Sequence, residues 1–167
     1  MTHRLDALDV RLLRSAARQP RAGFLDLSRQ TGVSRATVQA RLERMERTGV
    51  ITGYGPDVDL AAAGYPVRAL ATLEITQGVL DEVAAALARI PEVLEAYATT
   101  GDGDVQCRLA ATSHEGLQDT LLRITRIPGV ARSNSVVVLS QVVAPRFLPL
   151  LEAEPRQEPT RTGGRAD

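Results

Sequence analysis

The stretch from Ala22 to Thr48, AGFLDLSRQTGVSRATVQARLERMERT, decides how the first part of the chain folds. It contains two short helical patterns joined by a glycine-containing turn. Ser34 is placed to begin the second helix, because its hydroxyl can accept a hydrogen bond from an unpaired backbone N–H. Val38, Leu42 and Met45 follow at spacings of four and three, so they share one helical face. This pattern predicts a helix that packs one side into a core.

The other sides of this helix carry small and basic residues. Alanines would let a helix approach base edges closely, and arginine or glutamine can make paired hydrogen bonds to guanine or adenine. Helix, turn and second helix is the order of a helix-turn-helix motif. A solvated amphipathic hairpin is the alternative that spacing alone leaves open. The candidate DNA contacts are Ser34, Arg35, Ala36, Thr37, Gln39, Arg41 and Arg44.

Length and composition favour a soluble protein of one or two domains. The chain has 167 residues, of which 44% are hydrophobic and 24% charged, and these fractions are ordinary for globular proteins. No apolar run approaches the ~20 residues of a membrane span, and the polar start lacks a signal-peptide pattern. We therefore expect a cytoplasmic protein. The single Cys107 excludes an internal disulfide and a cysteine-cluster metal site, and we expect neither metal nor cofactor.

The zero net charge conceals an asymmetry along the chain. Residues 1–54 contain ten arginines and five acids, whereas residues 55–167 contain ten arginines and fifteen acids. The basic part is the part with the paired helices. This polarity favours a DNA-facing end and an end that DNA repels.

The remaining N-terminal patterns complete a three-helix domain over residues 1–52. A first helix is predicted from Leu5 to Arg18 with Asp6 as its cap, and a second from about Phe24 to Gln30. Gly49 ends the third. Residues 53–66 form a linker, and a short strand is predicted around Val50, Ile51 and Tyr54.

From Val67 the pattern changes to alternating strands and helices, which we assign to a second domain over residues 67–151. The predicted strands are 67–75, 93–100, 105–111 and 130–143, and the predicted helices are 79–90 and one opened by a Thr112–Glu115 capping box. The order β-α-β-β-α-β is typical of a ferredoxin-like fold, so the chain is α+β. The continuous run Val136–Leu139 indicates a strand that is apolar on both sides, which predicts pairing with another subunit. Residues 152–167 are predicted to be a disordered tail.

With these patterns in view, the chain resembles the Lrp/AsnC family of bacterial and archaeal transcription regulators, over about residues 4–150. The N-terminal match consists of Leu5, Asp6, Asp9, Arg21, Gly32-Val33-Ser34, Arg41-Leu42, Met45-Glu46, Gly49-Val50-Ile51 and Gly53-Tyr54. The C-terminal match consists of Gly101, Asp104, Leu121-Leu122, Ile127-Pro128-Gly129-Val130, Ser133, Ser135 and Val138-Leu139.

The resemblance implies a dimer built through the sheet, assembling into tetramers or octamers, and a small effector, usually an amino acid. The effector-binding residues that it implies are Gly101, Gly103, Asp104, Ser133 and Ser135. Turn N–H groups can hold a carboxylate, and an aspartate can hold an ammonium group. The alternative is an ordinary hairpin turn in which Asp104 only caps its own backbone.

Three functions remain to be distinguished. We favour a regulator that binds double-stranded DNA and responds to a small effector. An architectural DNA-binding protein without an effector is the second. The third is an enzyme similar to siroheme decarboxylases, which the two histidines, His3 and His114, support poorly. The sequence contains no Cys–His or Ser–His–Asp arrangement typical of nucleophilic catalysis, and no cluster with the spacing of metal ligands.

Overall fold

The computed structural model describes residues 5–153. In chain order the elements are α1 (Ala7–Arg18), α2 (Phe24–Thr31), α3 (Arg35–Arg47), β1 (Val67–Ile75), α4 (Leu80–Leu87), β2 (Val93–Ala98), β3 (Val105–Ala111), α5 (His114–Thr125), β4 (Val130–Val137) and α6 (Leu148–Ala153). The described residues form two compact units. The first consists of two segments, the chain up to Pro56 and the chain from Ala144 onward, and the second runs from Asp57 to Val143. The domain boundary predicted from sequence instead kept residues 144–151 with the sheet.

The first helix begins with a reciprocal pair of hydrogen bonds. The backbone N–H of Asp9 donates to Oδ1 of Asp6 at 2.9 Å, and the N–H of Asp6 donates to Oδ2 of Asp9 at 3.1 Å. This is a capping box, which satisfies two N–H groups that a helix start would leave unpaired. The predicted cap at Asp6 is confirmed, and the helix begins two residues after the predicted Leu5.

The third helix has the predicted beginning and end. The N–H of Thr37 donates to the Ser34 hydroxyl at 3.1 Å. At the other end Gly49 has a positive φ of 74°, a conformation that glycine adopts without steric cost. The N–H of Gly49 donates to the Glu46 carbonyl at 3.0 Å, and the N–H of Val50 donates to the Met45 carbonyl at 2.8 Å. These bonds form a Schellman motif that closes the helix.

The same closure explains why the predicted strand around Val50 and Ile51 is wrong. The N–H of Ile51 also donates to the Met45 carbonyl, at 3.1 Å. Both donors are therefore used to end α3 and are not available to a strand partner. No strand occurs between α3 and β1 in the structure.

The core of the first unit joins α1, α2 and α3. Leu12, Val38 and Met45 are completely buried within it. Its buried members are Leu5, Leu8, Val10, Leu12, Leu13, Leu27, Val38, Leu42 and Met45. Burying large aliphatic side chains contributes about 1.5–3 kcal/mol each, so this cluster holds the three helices together.

A fourth helix, α6, completes this unit from the far end of the sequence. Leu148 and Leu151 pack against the core cluster, and Arg14 Nε lies 2.7 Å from Glu152 Oε1. Sequence placed Leu148 and Leu151 in the sheet domain and began a tail at Glu152. Residues 154–167 of that predicted tail lie outside the described residues.

The second unit is an antiparallel sheet of strand order β2-β3-β1-β4 with α4 and α5 packed on one face. Ala71 of β1 pairs with Cys107 of β3 and with Ser135 of β4. Directly paired residues project to the same face, and Ala71 and Cys107 are fully buried against the helices. Burial raises the pKa of the Cys107 thiol to about 11. The predicted ferredoxin-like fold is confirmed.

Two local predictions in this unit are wrong. Ser113, rather than Thr112, begins α5, because its hydroxyl accepts a hydrogen bond from Gly116 N–H at 3.0 Å. β4 ends at Val137 and not at Val143, after which the N–H of Val138 makes one more bond to β1 at the Arg68 carbonyl. Beyond that residue the chain has no strand to pair with in the described part of the protein.

Candidate nucleic-acid interface and ligand site

The solvent-facing side of α3 carries one continuous ridge of long polar side chains. Arg35, Gln39, Glu43 and Arg47 are spaced four residues apart and are all exposed. Residues four apart on a helix lie one above the other. Ala36 and Ala40, also exposed, lie beside the ridge. A basic ridge next to small side chains is a shape that fits into a major groove.

The start of α3 orders two of the predicted DNA contacts. The Ser34 hydroxyl caps the helix and lies 2.9 Å from the Thr37 hydroxyl. Both hydroxyls are thus engaged in local hydrogen bonds, with Ser34 exposed and Thr37 half-buried. Their position next to Arg35 places polar groups and the helix N-terminus, which attracts anions, together.

Two of the predicted DNA contacts, Arg41 and Arg44, instead pair with aspartates of α1. Arg44 Nη2 lies 2.7 Å from both carboxylate oxygens of Asp9, and Arg41 Nη1 lies 3.1 Å from Asp9 Oδ1. Arg41 also donates to Asp6. The structure therefore does not place these two guanidinium groups with the exposed ridge of Arg35 and Gln39.

Asp9 is the centre of this network and is completely buried. A buried carboxylate is costly unless it is paired and hydrogen-bonded, and Asp9 has both arginines and a backbone N–H as partners. For Asp6, burial is the largest single influence and opposes ionisation. The hydrogen bond and charge of Arg41, together with the backbone N–H groups of Asp9 and Leu8, outweigh it and lower the pKa of this carboxyl. Burial likewise opposes the charge of Arg41, and its bonds to the two aspartates raise its pKa.

Sequence analysis missed this role of Asp6 and Asp9. The position of Asp9 in the sequence could have indicated this role. It lies one helical turn before the buried Leu12 and Leu13, where an unpaired carboxylate would be unfavourable. Its partners stand 32 and 35 residues further along the chain. The network fixes α1 against α3 and so orients the exposed ridge.

Tyr54 connects the beginning of the linker to α3. Its hydroxyl donates to Glu46 Oε1 at 2.5 Å. Burial and this bond to a carboxylate raise the pKa of Tyr54 to about 12. The tyrosine keeps its proton at neutral pH and can therefore act as the donor.

In the second unit, the turn from Gly101 to Asp104 is bound closely to β1. The N–H of Asp104 donates to the Leu73 carbonyl at 2.8 Å, and the N–H of Ile75 donates to Asp104 Oδ2 at 2.7 Å. The carboxylate therefore bonds to β1, where the β1–β4 register shifts, and the predicted alternative of a cap on its own turn does not describe it. Asp104 remains exposed.

Gly103 is buried where the turn approaches β1. A Cβ built on it would lie 2.3 Å from the methyl carbon of Thr72 and 3.3 Å from the Leu73 carbonyl oxygen. Only glycine fits this approach without displacement. The Gly103 carbonyl also accepts a hydrogen bond from the Thr99 hydroxyl at 2.8 Å.

The two predicted serines lie across β1 from this turn. Ser133 pairs with Leu73, whose carbonyl binds the Asp104 N–H, and Ser135 pairs with Ala71 further into the sheet. Ser133 is half-buried and Ser135 is exposed. The sheet register thus brings Gly103, Asp104 and Ser133 to one end of the sheet. No group of acidic, histidine or cysteine side chains suited to a metal ion is found among residues 5–153.

In the first unit, α2 ends at Gly32 in a left-handed conformation and α3 begins at the Ser34 cap. This helix-turn-helix, in a chain that continues into a ferredoxin-like unit, is the architecture of a class of transcription regulators. The AsnC-type helix-turn-helix domain model matches residues 5–46, and the Lrp/AsnC ligand binding domain model matches residues 68–146. The chain belongs to the Lrp/AsnC family of transcriptional regulators. The resemblance predicted from the sequence is confirmed.

Similar proteins cover most of the chain. It is 31% identical to the HTH-type transcriptional regulator FL11 of Pyrococcus horikoshii over 135 residues, which cover 81% of this chain and 89% of that one. It is 34% identical to the HTH-type transcriptional regulator Rv2324 of Mycobacterium tuberculosis over 141 residues, covering 84% and 95% respectively.

Solved structures agree with these matches. Escherichia coli AsnC superposes with a TM-score of 0.82 at 28% identity, covering 88% of this chain and all of that one. A feast or famine regulatory protein of M. tuberculosis, complexed with L-methionine, superposes with a TM-score of 0.78 at 29% identity, covering 86% and 98%. Within residues 5–153, no helix has the length and apolar character needed to span a bilayer.

Proposed function

We propose that this transcriptional regulator binds duplex DNA through the exposed ridge of α3 and that a small effector, an amino acid, controls the binding. The observation that supports DNA binding is that the arginines of α3 form two groups with different surroundings. Arg41 and Arg44 are paired internally with Asp9, whereas Arg35 and Arg47 are exposed. The internal ion pairs fix α3 against α1, and the exposed arginines contact the DNA.

The DNA contacts divide by chemistry. Arg35 and Gln39 are long enough to reach base edges, and Ala36 leaves space for a thymine methyl group. Ser34 and Thr37, at the helix N-terminus, suit phosphate oxygens, which position a protein without reading sequence. Arg41 and Arg44 act through Asp9 as positioning residues. A dimer would place two such helices about 34 Å apart on a pseudo-palindrome.

The ligand site that we propose lies at the end of the sheet that carries the turn. Exposed Asp104 can pair with an ammonium group, the turn around Gly101 and Gly103 offers backbone N–H groups for a carboxylate, and the Ser133 and Ser135 hydroxyls can bind either. An amino acid has both charged groups. The M. tuberculosis structure solved with L-methionine supports this class of ligand.

We further propose that the protein assembles as a homodimer and then as a tetramer or octamer. Val136, at the end of β4, and Leu139 beyond it are 57% and 96% exposed in the single chain. Clustered exposed apolar residues of this kind mark protein–protein interfaces. Light scattering on the purified protein should give at least twice the mass of one chain, and a monomer at micromolar concentration contradicts the assembly.

Thermal unfolding in the presence of each of the twenty amino acids tests the ligand. A ligand at one hundred times its Kd stabilises the folded state by about 2.7 kcal/mol, so the true effector should raise the Tm by several degrees. Asp104→Asn is the informative variant, because an amide oxygen can still accept from Ile75 N–H while the charge is lost. The Asp104→Asn variant should have the same Tm as the wild type without ligand, and the effector should no longer raise that Tm. If none of the twenty amino acids shifts the Tm, an architectural DNA-binding role is supported instead.

A further inference from the structure

Within the exposed ridge of α3, an acid stands between the two arginines. Gln39 Nε2 donates to Glu43 Oε1 at 2.8 Å. The other acid of this helix, Glu46, accepts the Tyr54 hydroxyl. Glu43 is exposed and lies one turn from both Gln39 and Arg47. A carboxylate in this position faces the DNA in the function proposed above.

The bond fixes which end of the Gln39 amide points along the helix. A carboxylate only accepts hydrogen bonds, so the amide nitrogen must face Glu43. The carbonyl oxygen and the second N–H of Gln39 are then left for DNA. One acceptor and one donor side by side match the N6 and N7 positions of adenine.

Glu43 itself can pair with few groups in the major groove. Only adenine N6 and cytosine N4 offer donors there, whereas guanine and thymine present acceptors and a methyl group. An unpaired carboxylate near phosphates and acceptors is repelled by them. A base without an amino group in the major groove opposite Glu43, guanine or thymine, is therefore disfavoured.

We propose that Glu43 is a specificity-determining residue, which orients the Gln39 amide and selects an amino-bearing base, adenine or cytosine, at the position that it faces. This inference rests on the proposed binding of DNA by α3. Its contribution is discrimination between sites and not affinity, because it adds negative charge to a basic surface. Removing the charge should strengthen binding to unrelated DNA.

Selection from a randomised duplex library tests the proposal with the full-length protein, Glu43→Ala and the control Glu82→Ala. Glu82 is an exposed acid of α4, so the control makes the same charge change in the other unit. The wild type and control should select one motif. Glu43→Ala should reduce the preference for adenine or cytosine at one position in each half-site by roughly tenfold, and it should bind random DNA more tightly.

Two results overturn the proposal, and they distinguish a failure of the inference on Glu43 from a failure of the proposed DNA binding. If the wild type selects a motif and Glu43→Ala selects the same motif with the same preference at every position, Glu43 does not determine specificity, and the DNA-binding function stands. If the wild type retains no duplex at low salt, the proposed function fails together with this inference. Unchanged thermal unfolding of Glu43→Ala establishes that the exposed substitution leaves the fold intact.

Discussion

Asp9 of α1 and Arg44 of α3 form a two-point ion pair, in which one guanidinium nitrogen lies 2.7 Å from both carboxylate oxygens. Asp9 is fully buried, and Arg44 is partly exposed. The pair joins the first helix to the helix that we assign to DNA. The orientation of the ridge on α3 therefore depends on a residue that faces the core and cannot touch DNA.

Replacing Asp9 should destabilise the first unit strongly. In Asp9→Asn the Arg41 and Arg44 charges lose their buried partner, and breaking such a pair costs about 3–5 kcal/mol. Urea unfolding followed by circular dichroism measures the loss. Asp26→Asn, at an exposed position of α2, is the matched control and should change stability by less than about 0.5 kcal/mol. Equal effects of the two substitutions would contradict a structural role for the pair.

The pKa of Asp6 predicts how stability depends on pH. Burial opposes ionisation of Asp6, but Arg41 and the backbone N–H groups together hold the pKa of folded Asp6 below its ordinary value of 3.8. The stability that the ionised carboxylate contributes is therefore fully present above that value. It is lost as the pH falls through the lower pKa of the folded state. Asp6→Asn should therefore flatten the acid side of a plot of unfolding free energy against pH. An unchanged slope below pH 4 in the variant, at constant ionic strength, would show that Asp6 gains nothing from Arg41.

Gly103→Ala should destabilise the sheet unit, because the new Cβ would overlap the Thr72 methyl carbon. Overpacking of this kind costs about 1–3 kcal/mol. Thr72→Ser removes that methyl and should restore part of the loss in the double variant. Gly53→Ala is the control, since no atom lies within 4 Å of its added Cβ. Chemical unfolding of the four proteins measures the effect, and an absence of rescue would contradict the assigned contact.

Arg35 and Arg44 should respond differently to removal. Arg35→Ala should weaken binding to the selected site by about 1–3 kcal/mol for the lost base contact, with stability unchanged. Arg44→Ala should lower stability, because it leaves Asp9 with one arginine fewer. Fluorescence anisotropy at several salt concentrations, combined with unfolding curves, distinguishes the two roles. If Arg44→Ala reduces the salt slope without loss of stability, Arg44 contacts DNA after all.

The docking of α6 predicts a contrast between adjacent leucines. Leu151 packs against the core of the first unit, whereas Leu150 is 76% exposed. Leu151→Ala should cost about 1–2 kcal/mol, below the range for a fully buried leucine, and Leu150→Ala should cost nearly nothing. Thermal unfolding of both variants decides this. Equal stabilities would show that α6 does not hold the unit together.

Much of the fold and part of the candidate site follow from short-range chemistry. Asp6, Ser34 and Gly49 each begin or end a helix through bonds to residues within five positions, so the local sequence is enough to predict them. The same holds for the apolar spacing of Val38, Leu42 and Met45 and for the β-α-β-β-α-β order. The predicted strand at Val50 is wrong because the Val50 N–H donates to the Met45 carbonyl, which closes α3, and is not available to a strand partner.

The sequence by itself determined the two-part architecture, the family and the core-facing side of α3, because periodicity and capping depend on neighbouring residues. Only the tertiary structure decided that Arg41 and Arg44 turn to Asp9, that Asp104 bonds to Ile75, and that α6 returns to the first unit. Those partners are 29 or more residues apart along the chain. Which distant charges and apolar faces meet depends on packing into a shared core, and chain spacing does not encode it.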